Sequence, residues 1–194
     1  MKKIITLILS FAFIGCMFIN VHASENIEIN GTDTNLEQYQ VIELGEIDLS
    51  STETQSFSIE LPNGKTGYVT VEDIPVVSTR ADHLPLKGKF NKRLTFTESS
   101  PLMTISAIYS GNVTSTSVTL NKPNSGQMSG AINYESGTYS TRNYSGDSKT
   151  KEALFTAKYS FPIIGTTHYM ELILRVSPSS GNSNNAVLYT NGIF

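Results

Sequence analysis

Hydrophobic residues follow two patterns along this chain. Between Ile4 and Ile19 they form an almost unbroken run, whereas from Gln55 onward they alternate with polar residues. Alternation sends successive side chains to opposite faces of an extended chain, so it predicts strands with one buried face. Phe57, Ile59 and Leu61 alternate with Ser56, Ser58 and Glu60. Phe90, Leu94 and Phe96 alternate with Asn91, Arg93 and Thr95. Met103, Ile105, Ala107 and Tyr109 share one face, as do Met128, Gly130, Ile132 and Tyr134. Phe155, Ala157, Tyr159 and Phe161 make a further row, and Met170, Leu172, Leu174 and Val176 another. Gly67 to Val71 reads as a returning strand, and Val118 and Leu120 end a hydroxyl-rich one. Glu37 to Leu44 fits either a strand or one helical turn.

Turn chemistry separates these rows. Asn63-Gly64 is a hairpin signal, because both turn residues then accept positive φ. Ser110-Gly111-Asn112, Lys122-Pro123-Asn124-Ser125-Gly126, Glu135-Ser136-Gly137 and Ser179-Ser180-Gly181-Asn182 predict further turns. Pro75 and Pro85 bracket a connection. No segment sustains helical periodicity over three turns. Many short strands between such turns predict an all-β fold, an antiparallel β-sandwich of immunoglobulin-like or jelly-roll-like form.

The N-terminal run bears on the compartment. Lys2 and Lys3, the run from Ile4 to Ile19, and Val21-His22-Ala23 make the three parts of a secretory signal peptide. Cleavage is expected between Ala23 and Ser24. Two alternatives remain. Phe13-Ile14-Gly15-Cys16 loosely resembles a lipobox, which would make Cys16 a lipid-anchored N-terminus. A membrane anchor would need about 20 apolar residues, and Asn20 and His22 interrupt the run before that length. No later stretch is long or apolar enough to span a membrane. The expected product is therefore a secreted, extracellular domain without a stable membrane span. Its only cysteine, Cys16, leaves with the signal, so burial and sheet hydrogen bonds must hold it together without disulfides. Such a chain suits a Gram-positive bacterium.

Charge subdivides the rest. Ser24 to Gly64 holds nine acidic residues and no Lys or Arg, whereas His83 to the end holds ten basic residues and five acidic ones. Residues 1–23 thus read as signal peptide, 24–54 as an acidic and partly flexible arm, and 55–194 as one sandwich domain. The arm serves either as a solubilising extension or as a mask over the basic half, or else the basic half contacts anionic wall polymers directly. The overall acidity without the signal argues against nucleic-acid binding. Lys87, Lys89, Lys92 and Arg93 form the one basic cluster, which reads as a solvated edge.

Candidate chemistry is sparse. Apart from His22 in the signal, the histidines are His83, in the proline-bracketed connection, and His168, which starts a strand and reads as a cap over the core. No HExxH, CxxC or GxSxG spacing is present, so no catalytic, metal or cofactor site is assigned. Glu171 and Arg175 lie about 13 Å apart along one strand face, so each is expected to meet a cross-strand neighbour. Tyr109, Tyr134, Tyr139 and Tyr144 stand near predicted turns in a Ser/Thr-rich half, a composition that suits recognition surfaces. Seventeen of the 47 residues from Thr104 to Thr150 are Ser or Thr. A pore-forming hairpin would also be hydroxyl-rich, but Thr138 to Tyr144 offers no lipid-compatible face.

The stretch Phe57-Ser-Ile-Glu-Leu-Pro-Asn-Gly-Lys-Thr-Gly-Tyr-Val-Thr-Val-Glu72 resembles the N-terminal part of a group of small secreted Gram-positive proteins with a domain of unknown function. Ile105-Ser-Ala-Ile-Tyr109, Ala153-Leu-Phe-Thr-Ala-Lys-Tyr-Ser-Phe161 and the strand from Thr167 to Val176 follow in the same order. The resemblance implies no activity and no site residues. The resulting expectation is a non-enzymatic binding or interaction module at the cell surface or in the medium, whose partner would be a cell-wall polymer or a surface protein. The alternative is a bacteriocin- or toxin-like precursor released from its acidic segment by a cut near Arg80.

Overall fold

The computed structural model describes residues 40–75, 88–100, 102–163, 165–178 and 185–192. The expectations for Cys16, Ala23, Ser24, Arg80, His83, Pro85, Lys87 and the turn at 179–182 lie outside these residues. The described chain forms β1 (Gln40–Asp48), β2 (Gln55–Glu60), β3 (Thr66–Asp73), β4 (Lys89–Ser99) and β5 (Leu102–Val113). It continues through β6 (Val118–Leu120), β7 (Asn124–Gly130), β8 (Asn133–Tyr144), β9 (Asp147–Ser160), β10 (Thr167–Val176) and β11 (Asn185–Gly192). Two antiparallel sheets result. One runs β1-β11-β10-β9-β8 and the other β2-β3-β4-β5-β6, with β7 also paired to β5. Each sheet is largely a meander of consecutive strands. The chain passes between sheets from β1 to β2 and again from β7 to β8.

The alternating rows supply the core. Leu94, Phe96, Ile105, Ala107 and Tyr109 of one sheet are buried with Phe155, Ala157, Leu172, Leu174 and Leu188 of the other. Tyr109 carries the only phenol of this group, and its hydroxyl donates to the Leu172 carbonyl oxygen at 2.5 Å, crossing from β5 to β10. Burial pushes its pKa well above the ordinary tyrosine value, against a lowering contact with the Phe155 backbone.

Several local expectations change. β4 lies between β3 and β5, so its basic residues are not an edge. The strand period turns Phe90, Lys92, Leu94, Phe96 and Glu98 inward. Lys92 is 2% exposed and donates to Asp73 Oδ1 at 2.7 Å, and also to the Ser51 carbonyl oxygen. Arg93, on the opposite face, lies 3.8 Å from Glu72.

Ser110-Gly111-Asn112 is not a turn, because β5 runs through it. A Cβ on Gly111 would stand 2.4 Å from the Thr119 carbonyl oxygen, so glycine here serves close strand approach. Glu135-Ser136-Gly137 is likewise inside β8, where a bulge between Tyr134 and Ser136 absorbs one residue. The row Met128–Tyr134 is two strands, broken at Ala131-Ile132 where the chain changes sheets. Asn63-Gly64 does turn the chain, but only Gly64 takes a positive φ, of 74°. Asn63 Oδ1 instead accepts the Lys65 N–H at 3.0 Å.

β1 pairs with β11 from Gln40↔Gly192 to Asp48↔Asn185, so residues grouped by charge with the acidic arm form an edge strand of the sandwich. Leu44, Ile47 and Leu49 enter the core from this segment.

Candidate functional site

On the β7-β8 side of the sandwich, Met128 is the one buried residue of those two strands. Phe155 of β9 organises this side. Ideal Cβ atoms on Gly126 and Gly137 would stand 2.4 and 2.5 Å from the Phe155 ring, so both positions must be bare for the ring to fit. Tyr139 stacks on the same ring with centroids 5.3 Å apart. Its hydroxyl accepts the Gly126 N–H at 3.0 Å, tying β8 to β7 across the two sheets.

β6 is only three residues long, and it leaves a groove of about 340 Å³ lined by Val118, Thr119, Leu120, Thr141, Arg142, Asn143 and Lys151. Lys151 Nζ donates to Asn143 Oδ1 at 2.5 Å and to the Ser148 carbonyl oxygen at 3.3 Å. The hairpin that carries it is fixed by Asp147, whose carboxylate accepts the Lys149 N–H at 3.0 Å and the Thr150 hydroxyl at 2.9 Å. Those bonds, the Lys149 N–H foremost, hold its carboxyl below the ordinary aspartate pKa.

On the outer face of the same strands lies an arginine rack. Glu152 is 2% exposed, and each of its oxygens is bound by a different guanidinium. Arg142 Nε donates to Oε2 at 2.6 Å, and Arg175 Nε donates to Oε1 at 2.8 Å. The Arg175 guanidinium sits 3.9 Å from the Tyr144 ring centroid and 4.3 Å from that of Tyr189. It also donates to the Tyr189 hydroxyl at 3.1 Å. Burial raises the Tyr189 pKa, opposed by Arg175 and reinforced by Glu43. One carboxylate thus serves two cations. Arg142 remains 58% exposed, so the rack leaves a net positive charge on this outer face.

The groove offers the Lys151 ammonium, two threonine hydroxyls and an amide, with the Arg142 cation on the other face of the same edge. Such groups bind anionic or hydroxylated chains through charge-assisted and neutral hydrogen bonds. Among the described residues, no three His, Cys, Asp or Glu side chains are grouped to hold a metal ion.

The residues singled out from the sequence are dispersed. His168 is buried at the start of β10, with its ring 5.6 Å from Tyr159 and 5.3 Å from Phe161, as a core cap. Glu171 and Arg175 do meet cross-strand partners. Thr156 donates to Glu171 Oε1 at 3.0 Å, and Arg175 meets Glu152. The four tyrosines do not form one recognition surface. Tyr109 is in the core, Tyr139 packs on Phe155, Tyr144 covers Arg175, and Tyr134 alone of the four is exposed. Sequence reasoning missed the Arg142–Glu152–Arg175 rack, since its members come from three strands whose pairing no local pattern reveals. The clue was Glu152, a carboxylate beside the buried Ala153-Leu154-Phe155 run.

No family model and no curated protein matches the chain. Among solved structures, it is similar to the hypothetical protein lmo2686 from Listeria monocytogenes EGD-e. The identity is 14% and the TM-score 0.37, over 71% of this chain and 99% of that one.

Proposed function

We propose that this chain is a secreted, non-enzymatic binding module that holds an anionic, hydroxyl-bearing polymer of the cell surface in the groove between β6 and β8. The observation that carries this reading is the groove itself, where Lys151 stands among Thr119, Thr141 and Asn143, while Arg142 adds positive charge on the outer face of the same edge. The place of β1 favours a module over a precursor with a detachable segment. A cut at Arg80 would take away β1, β2 and β3 together, and with them Leu44, Ile47, Val69 and Val71 of the core.

The test is binding of the chain to an isolated polyol-phosphate wall polymer, measured across a salt series. Affinity should fall as salt rises, and Lys151→Ala should weaken it about tenfold, the effect of losing one hydrogen bond to a charged group. Unchanged affinity in Lys151→Ala would remove the groove from the proposal.

A further inference from the structure

Among the described residues, the edge strands of the two sheets are guarded unequally. β1 is broken by a bulge between Glu43 and Gly45 and carries Glu43, Glu46 and Asp48. β2 has six residues and ends on Glu60, and β6 has three. The pairing of β7 with β5 shifts register between Ser106 and Ile108. Bulges, short lengths and charges are the usual means by which an edge is kept from pairing with another chain.

β8 lacks these guards over most of its length. It spans 12 residues, and every one is exposed or half-exposed. Its irregularities fall at Tyr134/Ser136 and Asn143/Tyr144, which leaves Ser136–Asn143 as a regular eight-residue run. That run contains no lysine or proline. β9 is its one strand partner among the described residues. Its N–H and C=O groups on the other side therefore present a template for a further strand.

The hydroxyl-rich run is self-complementary, and the charges at its ends set the direction of a second copy. Glu135, just before the run, is paired with Lys158 of its own chain at 2.7 Å, whereas Arg142 near the other end shares Glu152 with Arg175 and leaves that end net positive. We propose that β8 pairs antiparallel with β8 of a second copy, joining two five-stranded sheets into one of ten strands. Antiparallel pairing sets the net-positive Arg142 ends of the two strands apart, and parallel pairing would set them side by side. A dyad perpendicular to the sheet keeps corresponding faces on the same side, so residues of like parity stand opposite. With the dyad through Tyr139, Thr138 faces Ser140 of the second copy and Ser136 faces Arg142, with Glu135 next to that pair. Small hydroxyl side chains at Ser136, Thr138 and Ser140 leave room for the two backbones to meet and can bond to one another. This proposal does not depend on what the groove holds.

The experiment is sedimentation velocity of the full chain over a concentration series, with circular dichroism to confirm the fold of each variant. The wild type should pass from monomer to dimer. Thr138→Lys sets lysines diagonally across the dyad and should raise the dimer dissociation constant about tenfold. Adding Ser140→Glu to the same chain creates two Lys–Glu pairs and should restore the dimer, a rescue that damage to the fold would not give. Ser58→Lys, on the exposed side of β2, should leave the dimer intact. A wild type that stays monomeric would overturn the proposal, as would a dimer indifferent to Thr138→Lys or one lost with Ser58→Lys. A monomer that binds an added extended peptide along β8 would also overturn it, giving that edge to a different partner.

Discussion

β4 and β8 are both long strands, of 11 and 12 residues, yet their side chains meet opposite conditions. In β4 every second residue is buried, the charged Lys92 and Glu98 included. In β8 none is buried. The sequence of β4 alternates large apolar residues with polar ones, so burial supports its place in the sheet. β8 is held instead by hydrogen bonds to β9 and by a few contacts to Phe155. A central strand thus builds the domain, and an edge strand of hydroxyl residues is left free to make contacts outside it.

The largest test of this contrast removes one aromatic from β4. Phe96→Ala should cost about 3–5 kcal/mol in chemical denaturation, because the ring is fully buried and leaves a cavity. Ser140→Ala on β8 should stay within about 0.5 kcal/mol of the wild type. Equal costs would erase the distinction.

Glu152→Ala should come next, at about 3 kcal/mol, because it strips a buried carboxylate from two guanidiniums. It should also release Arg142 and Arg175 from their shared anchor and loosen the packing of Arg175 on Tyr144 and Tyr189. A loss below about 0.5 kcal/mol would mean that the rack is only a surface feature.

Gly126→Ala should cost about 1–3 kcal/mol by forcing the Phe155 ring out of place. A thermal melt with near-ultraviolet circular dichroism would register both the loss and the altered packing around Tyr139.

The smallest effect concerns pH. The folded chain holds Asp147 below its ordinary pKa, so its contribution is present above the unfolded value and disappears as pH falls through the folded one. Asp147 is fully exposed, so the acid-side change in stability should be slight. Asp147→Asn should remove that slight change, and stability curves between neutral pH and the carboxylate range would show whether it does.

The fold class was legible because the core strands obey the two-residue period. Met103 to Tyr109, Phe155 to Phe161 and Met170 to Val176 could be read without knowing their partners. β11 was not anticipated. Its Ala186, Val187 and Leu188 form a short apolar run, and only its neighbours β1 and β10 reveal it as an interior strand. Glycine misled in both directions. Gly111 and Gly137 resemble turn residues, but each is needed where another chain segment approaches closely. Lys92 is the counterpart among charged residues. Its charge suggests solvent, and its strand parity and the Asp73 carboxylate place it inside. The groove was illegible for a different reason. It depends on β6 stopping after three residues while β8 continues, and no local pattern encodes that mismatch.

The central claim is that β8 offers an unpaired edge on a domain whose interior strands are closed. Amide hydrogen exchange, resolved residue by residue by nuclear magnetic resonance at a concentration where the chain is monomeric, tests it most directly. The account predicts continuous protection along β4. Along Ser136–Asn143 it predicts alternation, with amides facing β9 slow and those facing away fast. Uniform protection along β8 in the monomer would contradict the account, because its outer edge would then already be paired.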